Sequence, residues 1–149
     1  MSVFPTPAAA TKQSAGACDI ALLLVRIALA LPFIYHGASI AFGAFGGPGL
    51  KGFSGFTHLP LPVAALIGYG EFLGGLGVLF GVLARIAAAG LGLIMLGAIL
   101  IVHLSKGYDV TKGGFEYALT LLLLSVIVLV AGPGLYHALA LVRPQRNTL

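Results

Sequence analysis

The chain has 149 residues, of which 59% are hydrophobic and only 8% are charged, and its mean hydropathy is +1.08. Soluble domains carry about 25% charged residues, so this composition indicates a single domain embedded in a membrane. The net charge of +4 comes without the clustered basic stripe that a nucleic-acid-binding face needs, so we expect no nucleic-acid partner. A single cysteine, Cys18, excludes an intrachain disulfide and a cysteine metal cage.

Four apolar segments follow one another, each close to the roughly 20 residues that cross a bilayer. Backbone groups in lipid must form hydrogen bonds within their own segment, so each segment is predicted to be a helix. The sequence thus predicts an all-α membrane protein, an antiparallel bundle of four transmembrane helices within residues 20–142. The helices are expected at about residues 20–42, 63–83, 86–104 and 115–131. Residues 1–19 and 143–149 are predicted to be tails, the first of them flexible.

The link between the first two helices is rich in glycine and aromatic residues. Leu50, Phe53, Phe56 and Leu59 follow one another at three-residue steps. This spacing favours a short helix lying on the membrane surface. A glycine-rich loop with aromatic contacts is the alternative.

The second helix carries a stripe of glycines on one face, at spacings of four, three and four residues. Such a stripe lets another helix approach closely in lipid. We expect it to pack on the third helix, because the connection at Arg85 is short and the third helix has small residues in register. Pairing of two protomers is the alternative, so a homo-oligomer stays open. The glycines are Gly70, Gly74, Gly77 and Gly81, and the small residues are Ala84, Ala88 and Gly92.

Four spans place both termini on one side of the membrane. Four basic residues lie on that side and three on the other, so the positive-inside rule favours cytoplasmic termini in a bacterial-type inner membrane. The first group is Lys12, Arg85, Arg143 and Arg146, and the second is Lys51, Lys106 and Lys112.

Glu71 lies near the middle of the second predicted helix. An acid inside the membrane is costly and is by default a candidate functional residue. It could carry a proton, face a quinone, or belong to a structural ion pair. Arg26, two turns inside the first helix, is the expected charge partner of Glu71, with snorkelling to the headgroups as the alternative.

Three further ionisable residues fall in the same half of the predicted bundle. His36 and His103 lie near the outer ends of their helices, and Glu116 opens the fourth. With Glu71 they form a candidate catalytic cluster. The histidines could ligate haem iron, bind a metal with the acids, or form a hydrogen bond with a quinone carbonyl, and Tyr69 could stack on the ring. Each could also be purely structural, and no strong metal-binding motif supports ligation.

Several short motifs recur in order along the chain, and together they resemble the DoxX-like family of small four-helix membrane proteins. This resemblance implies a link to quinone-dependent redox systems, such as thiosulfate:quinone oxidoreductase, terminal quinol oxidation and responses to oxidative or thiol stress. Four residues after the histidine of the first helix, where members often have lysine, the chain has Ile40. After the Gly-Pro-Gly motif, where members commonly have a polar or basic residue, it has Leu135. The motifs are Arg26, Phe33-Ile34-Tyr35-His36-Gly37, Gly70-Glu71-Phe72-Leu73-Gly74-Gly75, Leu79-Phe80-Gly81-Val82-Leu83-Ala84-Arg85, Val102-His103-Leu104, Gly113-Gly114-Phe115-Glu116-Tyr117 and Gly132-Pro133-Gly134.

The leading hypothesis is a membrane subunit of a redox system, linked to quinone and partnered by a soluble or membrane redox protein. Whether the chain is itself an enzyme stays open. One alternative is a non-catalytic scaffold that docks a soluble oxidoreductase through Phe53 and Phe56. The other is a transporter of small solutes, for which polar groups at the midplane are also suited.

Overall fold

The computed structural model describes residues 7–138, with side chains from residue 16 onward. This part of the chain is helical and contains no strand. Helix α4 continues through a π turn, Ile99–His103, into a 3₁₀ turn, Leu104–Lys106. The α-helices are α1 (Pro7–Phe42), α2 (Gly49–Thr57), α3 (Leu61–Phe80), α4 (Ala84–Ala98) and α5 (Glu116–Ala131), with further 3₁₀ turns at Ala44–Gly46 and Val110–Lys112.

Three helical segments are long and apolar enough to cross a membrane. They are Gly16–Phe42, Leu61–Phe80 and Ala84–Lys106. Helix α5 is apolar as well, with 16 residues. The all-α membrane architecture predicted from the sequence is therefore confirmed.

Two boundaries differ from those predicted. Helix α1 begins at Pro7, so residues 7–19, predicted as part of a flexible tail, are helical. Helix α2 confirms the short helix in the link, whereas its place on the membrane surface stays a prediction. Residues 1–6, the C-terminal tail 143–149, and the arginines at 143 and 146 that entered the charge count all lie outside the described residues.

The bundle has two distinct ends. The link end carries α2 and the loop of residues 104–115, while the turn end carries the α3–α4 connection and residues 132–138. At the turn end, Gly81 terminates α3 in the left-handed conformation (φ 70°), and the amide of Val82 donates back to the Gly77 carbonyl over 2.9 Å. This is a Schellman-type helix ending, for which glycine has no steric penalty.

Two glycine faces allow α3 to pack closely on both of its neighbours. Gly74 lies against Leu91 of α4, and a Cβ atom there would be 2.8 Å from the Leu91 Cδ2 atom. This confirms the predicted packing of the stripe on α4, but the partners are Ala87, Leu91 and Ile94. The predicted partner Gly92 faces Ser125 and Leu122 of α5 instead. Gly81 departs from the prediction because it lies against Arg26 and His137.

The second glycine face, Gly68 and Gly75, packs on α1 and was not predicted. A Cβ atom at Gly75 would lie 3.0 Å from the amide nitrogen of Ile34 and 3.1 Å from the Ala30 carbonyl oxygen. Close backbone approach of this kind drives helix association in lipid, where apolar surface by itself gives no net gain. The α1–α3 interface therefore depends on glycines, which have no side chain to keep the two backbones apart.

The apolar core lies between α1, α3, α4 and α5. Leu29 and Phe33 from α1, Val78 from α3, Leu91 from α4 and Val128 from α5 are each 0–1% exposed. These side chains belong to one buried apolar cluster that all four helices contribute to.

Candidate functional site

Glu71 is the buried acid of the bundle. Its side chain is 5% exposed, and its Oε2 atom has no hydrogen-bond partner among the described residues. Most buried polar atoms have a partner, and an unpaired one costs free energy. An acid retained in this setting is a candidate for interaction with a ligand or a proton.

The position of Glu71 follows from the helix that carries it. Ala64, Gly68, Glu71, Gly75 and Val78 are the buried residues of α3 and recur at intervals of three and four. They therefore form one stripe along the helix, which faces the interior of the bundle. Glu71 lies halfway along this stripe and is the only charged residue in it.

The predicted ion pair between Arg26 and Glu71 is wrong. The Arg26 guanidinium donates to backbone carbonyls, with Nε 2.8 Å from the Val78 oxygen and Nη2 2.5 Å from the Leu79 oxygen. Its Nη1 donates to the carbonyls of Pro133 and Tyr136, at 2.8 and 2.5 Å. Arg26 is thereby occupied at the turn end, seven residues or about 10 Å along α3 from Glu71.

These carbonyls explain how an arginine can be 1% exposed without an acid beside it. Val78 and Leu79 belong to the last turn of α3, where carbonyls lack intrahelical donors and the helix dipole is negative. The planar fork of arginine reaches several such acceptors at once. Arg26 therefore joins α1, α3 and the segment after α5.

His36 lies at the height of Glu71, because the neighbouring residue Gly37 packs against the backbone of Glu71 and Phe72. The His36 residue is nonetheless exposed. Its ring contacts Tyr35 edge-on at 5.5 Å between centroids, and Tyr35 in turn stacks on Phe45 at 4.8 Å. No hydrogen bond joins His36 to Glu71 in the described part of the chain.

His103 and Glu116 both hold the loop at the link end. The His103 Nδ1 atom lies 2.7 Å from the Gly113 carbonyl oxygen, and the Glu116 Oε2 atom accepts the Val110 amide at 3.2 Å. Gly70 faces Ile94 across the α3–α4 interface, so His103 is nine residues, or about 13 Å, from the height of Glu71. The predicted four-residue cluster is thus split into two layers.

Tyr69, predicted to stack on a cofactor ring, faces outward. With Leu66, Gly70 and Leu73 it lines an open groove of about 450 Å³ on the surface of α3. Its ring meets Phe42 edge-on at 5.7 Å. No contact between described residues joins the Tyr69 ring to that of His36 or His103, so the three predicted cofactor-binding residues do not form one pocket.

The described residues contain no cluster of three potential metal ligands. Within residues 16–138, no three side chains of histidine, cysteine, aspartate or glutamate lie close enough together to hold a metal ion. The arrangement instead offers one orphaned carboxyl group in the interior and one imidazole at the link end.

Comparison with known proteins assigns the family. The DoxX family model matches residues 21–104, which include α1 from residue 21 onward, α2, α3 and nearly all of the α4 segment. The chain belongs to the DoxX family. This DoxX protein is also 32% identical over 114 residues to the protein named "Putative oxidoreductase CatD" of Bacillus subtilis (strain 168), covering 76% of this chain and 81% of that relative. No solved structure matches it significantly.

Sequence reasoning missed what Arg26 binds and why Gly37 is a glycine. The four carbonyl acceptors of Arg26 have no side-chain signature, so no residue pattern could have indicated them. Gly37 is part of the motif around His36 and is itself buried, whereas His36 is exposed. Only the crossing of α1 and α3 shows that a side chain at residue 37 would collide with the Phe72 backbone.

Proposed function

We propose that this DoxX protein is the membrane subunit of a redox system that exchanges electrons and protons with a quinone-class carrier, and that Glu71 is the proton-carrying group. Family membership and the oxidoreductase name of the Bacillus relative support a redox role. The chain sits in the inner membrane with cytoplasmic termini in this proposal, following the charge count of the sequence.

One observation carries the proposal, the unpartnered Oε2 atom of Glu71 in the bundle interior. Arg26 cannot neutralise the acid, because its guanidinium is bound to four carbonyls. An isolated carboxylate in an apolar interior is strongly disfavoured, so the acid needs either a proton or a hydrogen-bond donor from a bound molecule. An acid with a purely structural role would instead accept a hydrogen bond from a neighbouring donor.

A quinone, when bound, supplies two-electron chemistry that is coupled to uptake or release of two protons. The orphaned carboxyl fits this need, since it can hydrogen-bond to one ring oxygen and pass or receive one proton there. His36 and Tyr69 are not brought to the same place and have no part in the step. Glu71 is only 5% exposed, so bulk water has little access to the acid.

Binding of a short-chain quinol to the purified protein in lipid nanodiscs tests the proposal. Replacement of Glu71 by leucine removes the hydrogen bond to the ring oxygen, so we expect about tenfold weaker binding, the value of one hydrogen bond. Glu116→Gln is the matched control, because Glu116 bonds to the loop amide of Val110, and should bind as the native protein does. Absence of saturable binding, or equal affinity in both variants, would overturn the proposal.

A docking scaffold is the second candidate, and two exposed aromatic residues favour it. Phe45 is 70% exposed and Phe56 is 73% exposed, both in the link between α1 and α3. Capture of one stoichiometric oxidoreductase from native membranes, lost in a Phe45→Ser, Phe56→Ser double variant, would support this role. Equal recovery of the oxidoreductase with the double variant would rule out docking through these two residues.

A further inference from the structure

A cavity of about 300 Å³ lies at the turn end of the bundle, a volume at the lower end of the range for ligand-binding pockets. Its lining comes from Arg26 of α1, the last two residues of α3 and residues 135–138. Arg26 is 1% exposed, whereas the large apolar side chains of the lining are about half exposed or more. This turn-end cavity therefore combines a buried cation with an apolar surface. The exposed apolar residues are Phe80, Leu135 and Tyr136.

Gly81 lies beside the two cationic or titratable side chains of the turn-end cavity. A Cβ atom at Gly81 would be 2.9 Å from the Nη2 atom of Arg26 and 2.5 Å from the Cβ atom of His137. A side chain at residue 81 would therefore occupy the space beside the guanidinium. Glycine at this position ends α3 in the left-handed conformation and also keeps that space open.

The guanidinium of Arg26 retains one unused hydrogen-bond donor. Arginine carries five N–H groups. Arg26 uses one from Nε, two from Nη1 and one from Nη2 in its contacts with the four carbonyls. The second N–H group of Nη2 has no acceptor within the described part of the chain. Nη2 is also the nitrogen beside Gly81, so the unused donor is available on the side of the cavity.

The positive charge of Arg26 has no acid beside it. Among the described residues, the ion pair is that of Lys112 with Asp109 in the loop at the link end. Asp19, the acid nearest to Arg26 in sequence, accepts the amide of Leu135 instead. Carbonyl dipoles solvate the guanidinium but leave its charge uncancelled, and a buried charge favours a counter-ion. The ligand that suits this cavity is therefore an anion with oxygen acceptors.

His137 shapes the turn-end cavity but offers no donor to an anion. Its Nδ1 atom lies 2.9 Å from the carbonyl oxygen of Gly134, which can only accept a hydrogen bond. Nδ1 of the neutral ring therefore carries the proton, and Nε2 has a lone pair that would repel an anionic oxygen. Recognition of the anion falls to Arg26.

We propose that the turn-end cavity binds the phosphate group of one phospholipid, with the unused N–H of Arg26 Nη2 donating to a phosphate oxygen. Guanidinium groups match the geometry of phosphate, and basic pockets between transmembrane helices are typical sites for lipid headgroups. Phe80 and Leu135 are 54% and 68% exposed and offer apolar surface to the acyl chains. A free phosphate ion would gain nothing from that surface. The site is separate from Glu71 and does not depend on quinone binding.

Native mass spectrometry of the detergent-purified protein tests the proposal by counting bound lipid molecules. Phosphatidylglycerol is compared with diacylglycerol of the same acyl chains, which lacks the phosphate. We expect one phosphatidylglycerol to bind saturably and roughly tenfold more tightly than diacylglycerol, the value of one hydrogen bond to a charged group. Equal affinity of the two lipids would overturn the phosphate site. Displacement of phosphatidylglycerol by an equal concentration of inorganic phosphate would overturn the lipid as the source of the phosphate.

Ala138→Leu localises the site, because it adds bulk to the lining of the cavity and keeps the hydrogen bonds of Arg26. Ala131→Leu, at an exposed alanine of the same end, is the matched control. We expect roughly tenfold weaker binding of phosphatidylglycerol in Ala138→Leu and native binding in Ala131→Leu. Native affinity in Ala138→Leu would place the lipid elsewhere and overturn the proposal. Thermal unfolding identifies a loss of folding, and the comparison of the two lipids on the native protein decides even if this variant fails to fold.

Two further variants separate Arg26 from its basic neighbours. His137→Gln can still donate to the Gly134 oxygen, and Arg85→Leu removes a positive charge at the same end but outside the cavity lining. We expect both to bind phosphatidylglycerol as the native protein does. A tenfold loss in His137→Gln would transfer the anchor to the imidazole and overturn the role of Arg26. The same loss in Arg85→Leu would show attraction to charge in general and overturn the site.

Discussion

Gly37 of α1 lies directly against the backbone of Phe72 in α3. A Cβ atom at Gly37 would come within 2.7 Å of the Phe72 Cα atom, and it would be closer still to the Phe72 nitrogen. Backbone cannot give way as a flexible side chain can, so this contact sets the separation of the two helices at the height of Glu71. A substitution that moves α1 away from α3 at this crossing would therefore also change the surroundings of Glu71.

We predict that Gly37→Ala destabilises the protein by roughly 1–3 kcal/mol, because the added methyl group forces α1 and α3 apart. Gly97→Ala is the matched control, since nothing lies within 4 Å of its Cβ position, and it should be neutral or slightly stabilising. Equilibrium unfolding in detergent micelles measures both. Equal stability of the two variants would mean that the helices separate without cost.

Two adjacent glycines of α3 provide a second comparison. A Cβ atom at Gly74 meets the end of the Leu91 side chain, whereas a Cβ atom at Gly75 meets the backbone of Ile34 and Ala30. We expect Gly75→Ala to cost at least 1 kcal/mol more than Gly74→Ala, because only the Leu91 side chain can change rotamer. The same unfolding measurement decides, and a reversed order would contradict the backbone contact.

Replacement of Arg26 should be strongly destabilising. Arg26→Leu leaves the carbonyls of Val78, Leu79 and Pro133 without this donor, and loss of a buried hydrogen-bond network costs roughly 3–5 kcal/mol. Arg26→Lys should recover only part of this, because an ammonium group cannot reproduce the planar fork. Arg85→Leu, at an exposed position, serves as the control and should cost less than about 1 kcal/mol. Full stability of Arg26→Lys would show that charge alone suffices.

Removal of the interior acid should stabilise the fold while weakening quinol binding. Glu71→Leu eliminates an unpaired buried oxygen, so we expect the free energy of unfolding to rise by roughly 1–3 kcal/mol. Quinol binding should fall about tenfold in the same variant, because the hydrogen bond to the ring oxygen is lost. A loss of stability would instead reveal that the Glu71 carboxyl group holds the bundle together.

The exposed loop at the link end should respond to pH through Asp109. The Thr111 hydroxyl and amide both donate to its carboxylate, at 2.7 and 2.9 Å, and lower the pKa of Asp109 below its ordinary value. A lowered pKa means that the contribution to loop stability is present above about pH 4 and is lost as the pH falls through the folded-state value. The protection factor of the Thr111 amide, which corrects the hydrogen-exchange rate for its intrinsic pH dependence, should fall in that window. Asp109→Asn should remove the pH dependence.

Much of the architecture could be predicted from local patterns. The lengths of the apolar segments gave the helices, since lipid forces each backbone to satisfy itself, and the glycine spacing of α3 indicated its contact with α4. The cost of a carboxylate in an apolar segment marked Glu71 as a candidate site. These inferences need only the periodicity of one helix.

Only the tertiary structure decided which polar groups meet. Arg26 and Glu71 are complementary charges at compatible positions in sequence, yet the carbonyls at the end of α3 offer arginine a closer set of acceptors. The π turn at Ile99–His103 and the contact of the His103 ring with the Gly113 carbonyl likewise match no residue pattern that the sequence analysis used. The sequence by itself determined the helices and the cost of the buried acid. The neighbours of that acid follow from helix crossings and backbone acceptors, which form only when the bundle is assembled.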